Sequence, residues 1–171
     1  MRMILRPTLL IIMAIMISPA AFAEGDPQLL GKFSDWTAYK VDEGGKPVCY
    51  MASEPTKSEG KYSKRGDIYV TITHRPSEKS TNVFSVMAGY RYKSGGAVNV
   101  KIDEKNYVLV PHEETAWTPS QDIDNEITSA LRKGKSMSIE GTSARGTLTK
   151  DIYSLNGSGQ AYEAISKACG I

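Results

Sequence analysis

Apolar and polar residues alternate one for one along DIYVTITHRP, with Ile68, Val70 and Ile72 on one side and Tyr69, Thr71 and Thr73 on the other. A period of two is that of a strand buried on one face. His74 falls on the same side as the aliphatics, near the strand's end. The alternation returns in NVFSVMAGYRY through Phe84, Val86, Ala88 and Tyr90, and in AVNVKI through Val98, Val100 and Ile102. Gly, Ser or acidic turn residues bound each run, and YVLVP follows after a tight turn at 103–106. Upstream, GKFSDWTAYKV, the turn signal DEGGKP and VCYMASEP predict a two-stranded hairpin. Downstream, SMSIEGTSA and GTLTKDIYSL predict two more strands, with Met137 and Ile139 facing one way. Strands at such close spacing, joined by short turns, predict antiparallel hairpins in a sandwich rather than a parallel sheet with crossover helices.

Two stretches change period. In TPSQDIDNEITSALRKG, Ile123, Ile127, Ala130 and Leu131 share a helical face, acids crowd the first turn, and Arg132 and Lys133 precede Gly134. These cues agree on one internal helix and its ends. The closing SGQAYEAISKAC places Ala161, Tyr162, Ile165, Ala168 and Cys169 on one stripe. That is a short C-terminal helix, marginal alone and in need of an anchor. TKSEGKYSKRG is polar and basic without apolar period, and is expected to be a long exposed loop carrying Lys57, Lys61, Lys64 and Arg65.

The N-terminus alters the picture of charge and compartment. Residues 1–23 read as a secretory signal peptide: Arg2 and Arg6 precede an apolar run from Leu9 to Ile17, and Ala21-Phe22-Ala23 forms a small-x-small site for cleavage between Ala23 and Glu24. The run is shorter than the ~18 to 20 residues a spanning helix requires. No cysteine stands at the cut for acylation. Residues 24–171 are expected to form one exported domain, in the periplasm, at the cell surface or secreted. Without Arg2 and Arg6, basic and acidic residues balance at 19 each. A neutral domain has no net pull on nucleic acid or anionic lipid.

Both cysteines lie in the exported part, where an even count is read as bridged. The expected pairing is Cys49 with Cys169, against two rivals: a catalytic thiolate at Cys49 and an intermolecular bridge through Cys169. Closing a loop of about 120 residues would stabilise the fold by roughly 5 kcal/mol at most.

Motifs that carry chemistry are few. Cys49 with His74 is the sharpest nucleophile pair, and it fails if Cys49 is bridged, because a disulfide sulfur is not a thiolate. No G-x-S-x-G elbow occurs. His74 and His112 are the only histidines, and His112, Glu113 and Glu114 lack zincin spacing, so no metal site and no cofactor are expected. Arg65-Gly66-Asp67 spells a tripeptide that integrins read, but its place between a basic loop and a strand reads as a turn. Tyr92 with Arg91 and Lys93 offers an amphipathic contact surface; in the plainer reading Tyr90 fills the core while Arg91 and Lys93 keep an edge strand soluble. Trp36 and Trp117 read as core plugs.

The segments FSDWTAY, VCYMASEPTKSEGKYSKRGDIYVTITHRP, FSVMAGYRYK, TSARGTLTKDIYSLNG and AYEAISKACG resemble, in length and order, the invasion-associated locus B family of exported bacterial proteins. The resemblance covers nearly all of residues 24–171. It implies a mainly β, antiparallel immunoglobulin-like β-sandwich, periplasmic or surface-associated, linked by the family name to host-cell entry in some pathogens. It implies no enzyme and supplies no functional residues. The expected function is therefore a non-enzymatic interaction module, monomeric or weakly oligomeric, that presents Lys57, Lys61, Lys64, Arg65 and Tyr92 to a protein or glycan. The alternative is a cysteine-dependent hydrolase or redox enzyme built around Cys49.

Overall fold

The computed structural model describes residues 25–171, so Ala23, Glu24 and the expected leader lie outside the described residues. The strands are β1 (Gln28–Phe33), β2 (Trp36–Asp42), β3 (Pro47–Ser53), β4 (Lys57–Gly60), β5 (Tyr69–Arg75), β6 (Ser80–Met87), β7 (Val98–Ile102), β8 (Lys105–His112), β9 (Thr115–Trp117), β10 (Ser136–Thr142) and β11 (Leu148–Ser154). The helices are α1 (Gln121–Lys133) and α2 (Ser158–Cys169). Every pairing between these strands is antiparallel, in the order β1-β2-β3-β5-β6-β9-β8-β7-β10-β11-β4.

The chain is thus mainly β and sandwich-like, as its alternation predicts. Strand β8 belongs to two sheets: residues 105–109 pair with β7, and residues 110–112 pair with β9. On one side of it lies a front sheet, β1-β2-β3-β5-β6-β9; on the other lies a back sheet, β7-β10-β11-β4. Trp36, Met51, Ile72 and Phe84 from the front sheet and Val100, Ile139 and Tyr153 from the back sheet join one buried cluster. Helices α1 and α2 extend the cover: α1 packs chiefly on β6, and α2 crosses β1, β2, β3 and β5.

Helix α1 starts where its cap predicts. Ser120 is extended, its Oγ accepts from the Ile123 N–H, and Gly134 ends the helix. Asp124 is held inward, accepting from the Phe84 N–H at 2.8 Å and the Thr118 hydroxyl at 2.6 Å. It thereby satisfies a β6 donor beyond the reach of the short β9. Helix α2 begins at Gly157, whose φ is +90°; a Cβ there would lie 1.9 Å from the Phe33 carbonyl oxygen. Among the described residues no helix is long and apolar enough to cross a membrane.

Three expectations on elements need correction. GKFSDWTAYKV is two strands, because Ser34, at φ +52°, turns the chain between β1 and β2. The stretch from Lys57 to Arg65 is not one long loop: Lys57–Gly60 is β4, an edge strand on β11. Trp117 is no core plug. It is 43% exposed on β9, on the register row that runs through Ser85 to Thr71 on the outward side of the front sheet. Trp36 does fill the core, fully buried with its Nε1 donating to the Ser154 carbonyl at 3.0 Å.

Candidate functional site

The two cysteines are joined: Cys49 on β3 and Cys169 at the end of α2 form a disulfide with Cα atoms 6.0 Å apart. Cys49 is fully buried, and its cross-strand neighbour in the register is His74. The pair singled out as nucleophile and base is therefore adjacent, but the sulfur is engaged. His74 is fixed as a neutral ring: its Nδ1 accepts from the Asn82 N–H at 3.0 Å, which leaves its Nε2–H to donate to the Ser166 hydroxyl at 3.3 Å. Burial pushes its pKa down to about 4. The Tyr162 ring meets it edge-on at 5.5 Å. This cluster is the mounting of α2.

The residues expected to form an interaction surface separate into two groups. Arg65 and Tyr92 are scaffold. The Arg65 guanidinium makes two bonds to Asp151, of 2.7 and 2.6 Å, and its Nε donates to the Ala88 carbonyl at 2.6 Å. Both side chains of the pair are 4% exposed. Burial alone would lower the guanidinium's pKa; the Asp151 carboxylate outweighs it and holds the pKa above its ordinary value. The Arg-Gly-Asp tripeptide accordingly does not present its arginine. Tyr92 is 6% exposed; β6 ends at Met87 and the chain turns at Gly89, so the bridge of Tyr92 to Ser143 and the bond from its N–H to the Glu113 carbonyl place it. Its ring lies edge-on to Tyr90 at 5.2 Å, and a Cβ on Gly141 would come within 2.7 Å of it. Burial raises its pKa.

Lys57, Lys61 and Lys64 are exposed. Lys57 pairs with Glu59 along β4 at 2.5 Å. Lys61 and Lys64 instead border a cleft of about 530 Å³ between the 61–66 segment, residues 89–91 and the β10–β11 turn. Five cations line it, Lys61, Lys64, Arg65, Arg91 and Arg145, and no carboxylate is among its lining residues. Arg65 is neutralised by Asp151 beneath, and Arg91 pairs with Glu113 at the side. Lys61, Lys64 and Arg145 have no ion-pair partner among the described residues. The cleft floor is tied down by its own contacts. The Arg65 guanidinium lies 5.4 Å from the Tyr62 ring centre and 4.9 Å from that of Tyr90, whose hydroxyl is 2.7 Å from the Thr149 hydroxyl. Gly66 N–H donates to Gly89 O at 2.9 Å, which closes one wall.

Sequence reasoning grouped Arg91 with Tyr92 and Lys93 and missed Arg145, since only the path of β4 from the front sheet to the back brings the 61–66 segment against the β10–β11 turn. His112, Glu113 and Glu114 form no metal cluster: Glu113 turns the chain at φ +56° and faces Arg91. A second concavity, of about 800 Å³, lies on the outward side of the front sheet, where Tyr39 stacks on Tyr50 with ring centres 5.1 Å apart and Tyr69 lies near. No described element covers it.

Comparison with known proteins agrees with this architecture. The crystal structure of invasion associated protein B from Bartonella henselae superposes with a TM-score of 0.55 at 16% identity, covering 81% of this chain and 95% of that one. At that identity the likeness is one of fold. No curated protein matches the sequence. The family described as Invasion associated locus B (IalB) protein matches residues 36–166, from Trp36 at the start of β2 to Ser166 beside His74. The chain belongs to the invasion-associated locus B family.

Proposed function

We propose that the chain is an exported, non-enzymatic protein of the periplasm or cell surface that engages a protein or glycan of the envelope, or of a host cell, through its basic cleft. The single observation that carries this reading is the cleft itself: three cations without an acidic partner among the described residues stand around a floor whose own charge is internally neutralised. A binding site needs donors free to meet a partner and a scaffold that does not rearrange. Here the two tasks fall to different residues, Lys61, Lys64 and Arg145 to the first and Arg65, Asp151 and Tyr90 to the second. The basic N-terminal leader and the Cys49–Cys169 bridge support export. The bridged Cys49 leaves the enzyme alternative without its thiolate.

The test is charge reversal at the rim. Lys64→Glu with Arg145→Glu should abolish retention of the protein on sedimented envelope or host-cell membranes, while Lys57→Glu, outside the cleft, should leave it unchanged. Undiminished retention of the double variant would remove the cleft from the function.

A further inference from the structure

We propose that the ligand of this cleft is an acidic oligosaccharide, held by its carboxylate or sulfate groups on Lys61, Lys64 and Arg145 and by a sugar ring lying on the aromatic floor. This deepens the functional reading above and rests on it. Charge complementarity argues for an anion: the lining is cationic without a carboxylate, although basic and acidic residues balance over residues 24–171 as a whole. The floor argues for a sugar. Tyr62 is 37% exposed and brings aromatic surface to the cleft, while the Arg65 guanidinium lies over the Tyr62 and Tyr90 rings and holds them in place. Aromatic side chains present broad apolar contact with a polar tip at low entropy cost, which suits the apolar C–H face of a pyranose ring.

Dimensions and rigidity point the same way. A volume of about 530 Å³ falls within the range of about 300 to 1,000 Å³ of small-ligand pockets. That is room for a short stretch of chain and far less than a duplex requires. Three uncompensated cations would also neutralise few phosphates and give nucleic acid only a weak hold. The Arg65–Asp151 pair and the Arg65–Ala88 bond fix the floor before any ligand arrives, so binding orders only the rim side chains. Thr147 also lines the cleft.

Isothermal titration of the exported protein with four probes tests the inference: hexagalacturonate, a sulfated hexasaccharide of equal length, maltohexaose and hexaglutamate. The expected result is binding of one or both acidic sugars, weakened by added salt, with none to maltohexaose and none to hexaglutamate at the same ionic strength. Which acidic sugar binds tells carboxylate from sulfate recognition. Lys64→Glu and Arg145→Glu should each weaken the acidic sugar by about tenfold or more, and Lys57→Glu should not. All three side chains are exposed, and unchanged circular dichroism would confirm that the variants fold. Equal binding of hexaglutamate would overturn the inference by showing charge alone to be read. Failure of both acidic sugars would overturn it too, while loss of membrane retention in the double variant would leave the broader reading standing; intact retention would sink both.

Discussion

Arg65 and Asp151, 86 residues apart in the chain, meet through two parallel bonds at the base of the basic cleft, with each side chain 4% exposed. The pair ties the 61–66 segment to β11 of the back sheet, while the Arg65 Nε bond to Ala88 ties it to the end of β6 in the front sheet. One side chain thus spans the opening between the layers and forms the floor on which the free cations stand.

Removing the carboxylate should be costly, because it leaves a buried guanidinium without its counter-charge. Asp151→Ala is expected to lower stability by about 3–5 kcal/mol, read as a fall in the urea midpoint. The paired replacement Arg65→Met with Asp151→Leu should recover much of that loss. A midpoint unchanged in the single variant would mean that water reaches the pair.

Stability should also depend on pH through His74. Its folded pKa of about 4 lies below its ordinary value of 6.5, since burial disfavours the charged ring and both nitrogens are already engaged. Between those values the unfolded chain binds more protons than the folded one. The contribution is therefore complete above pH 6.5 and declines as the pH falls towards 4, by up to about 3 kcal/mol. Urea midpoints at pH 7 and pH 4.5 measure it. The wild-type protein should lose more stability over that interval than His74→Gln, and equal losses would place the titration elsewhere.

Gly89 sets the wall of the cleft by close approach. Its φ is +68°, and a Cβ would stand 2.5 Å from the Gly66 carbonyl oxygen, a backbone atom with little room to yield. Gly89→Ala should cost roughly 1–3 kcal/mol and speed hydrogen exchange at the Gly66 N–H, which donates to Gly89. Exchange as slow as in the wild type would show that the wall tolerates a side chain.

How much of this was legible depends on whether a residue's fate is set by its neighbours in sequence. Strands β5, β7, β10 and β11 bury one face each, so alternation marks them, and Ser120 and Gly134 mark the ends of α1. Strand β4 has no apolar alternation, because an edge strand of Lys57-Ser58-Glu59-Gly60 has little to bury. Strand β9 is three residues long, too short for a period to register. Tyr92 was not legible, because the turn at Gly89 breaks the alternation of β6 before it and its bridge to Ser143 is distant in sequence. Nor was Arg65: its burial depends on Asp151, and nothing local to KRGD distinguishes a scaffold arginine from the exposed lysines beside it. The cleft as a whole belongs to tertiary topology.

The staple has its own expected outcome. Cys169→Ser releases a loop of 120 residues and should lower stability by several kcal/mol, with roughly 5 as the chain-entropy ceiling. Exchange should accelerate first along α2, where Ser166 and Tyr162 hold His74 and Asn82. A melting temperature equal to that of the wild type would mean that packing alone seats the helix.

The assignment of function to the surface rather than to catalysis rests on the state of Cys49. Peptide mapping of the exported protein under non-reducing conditions, with alkylation of any free thiol, tests it most directly. The account predicts one linked pair containing Cys49 and Cys169 and no alkylated cysteine; an alkylated Cys49, reactive in the folded protein beside His74, would contradict it.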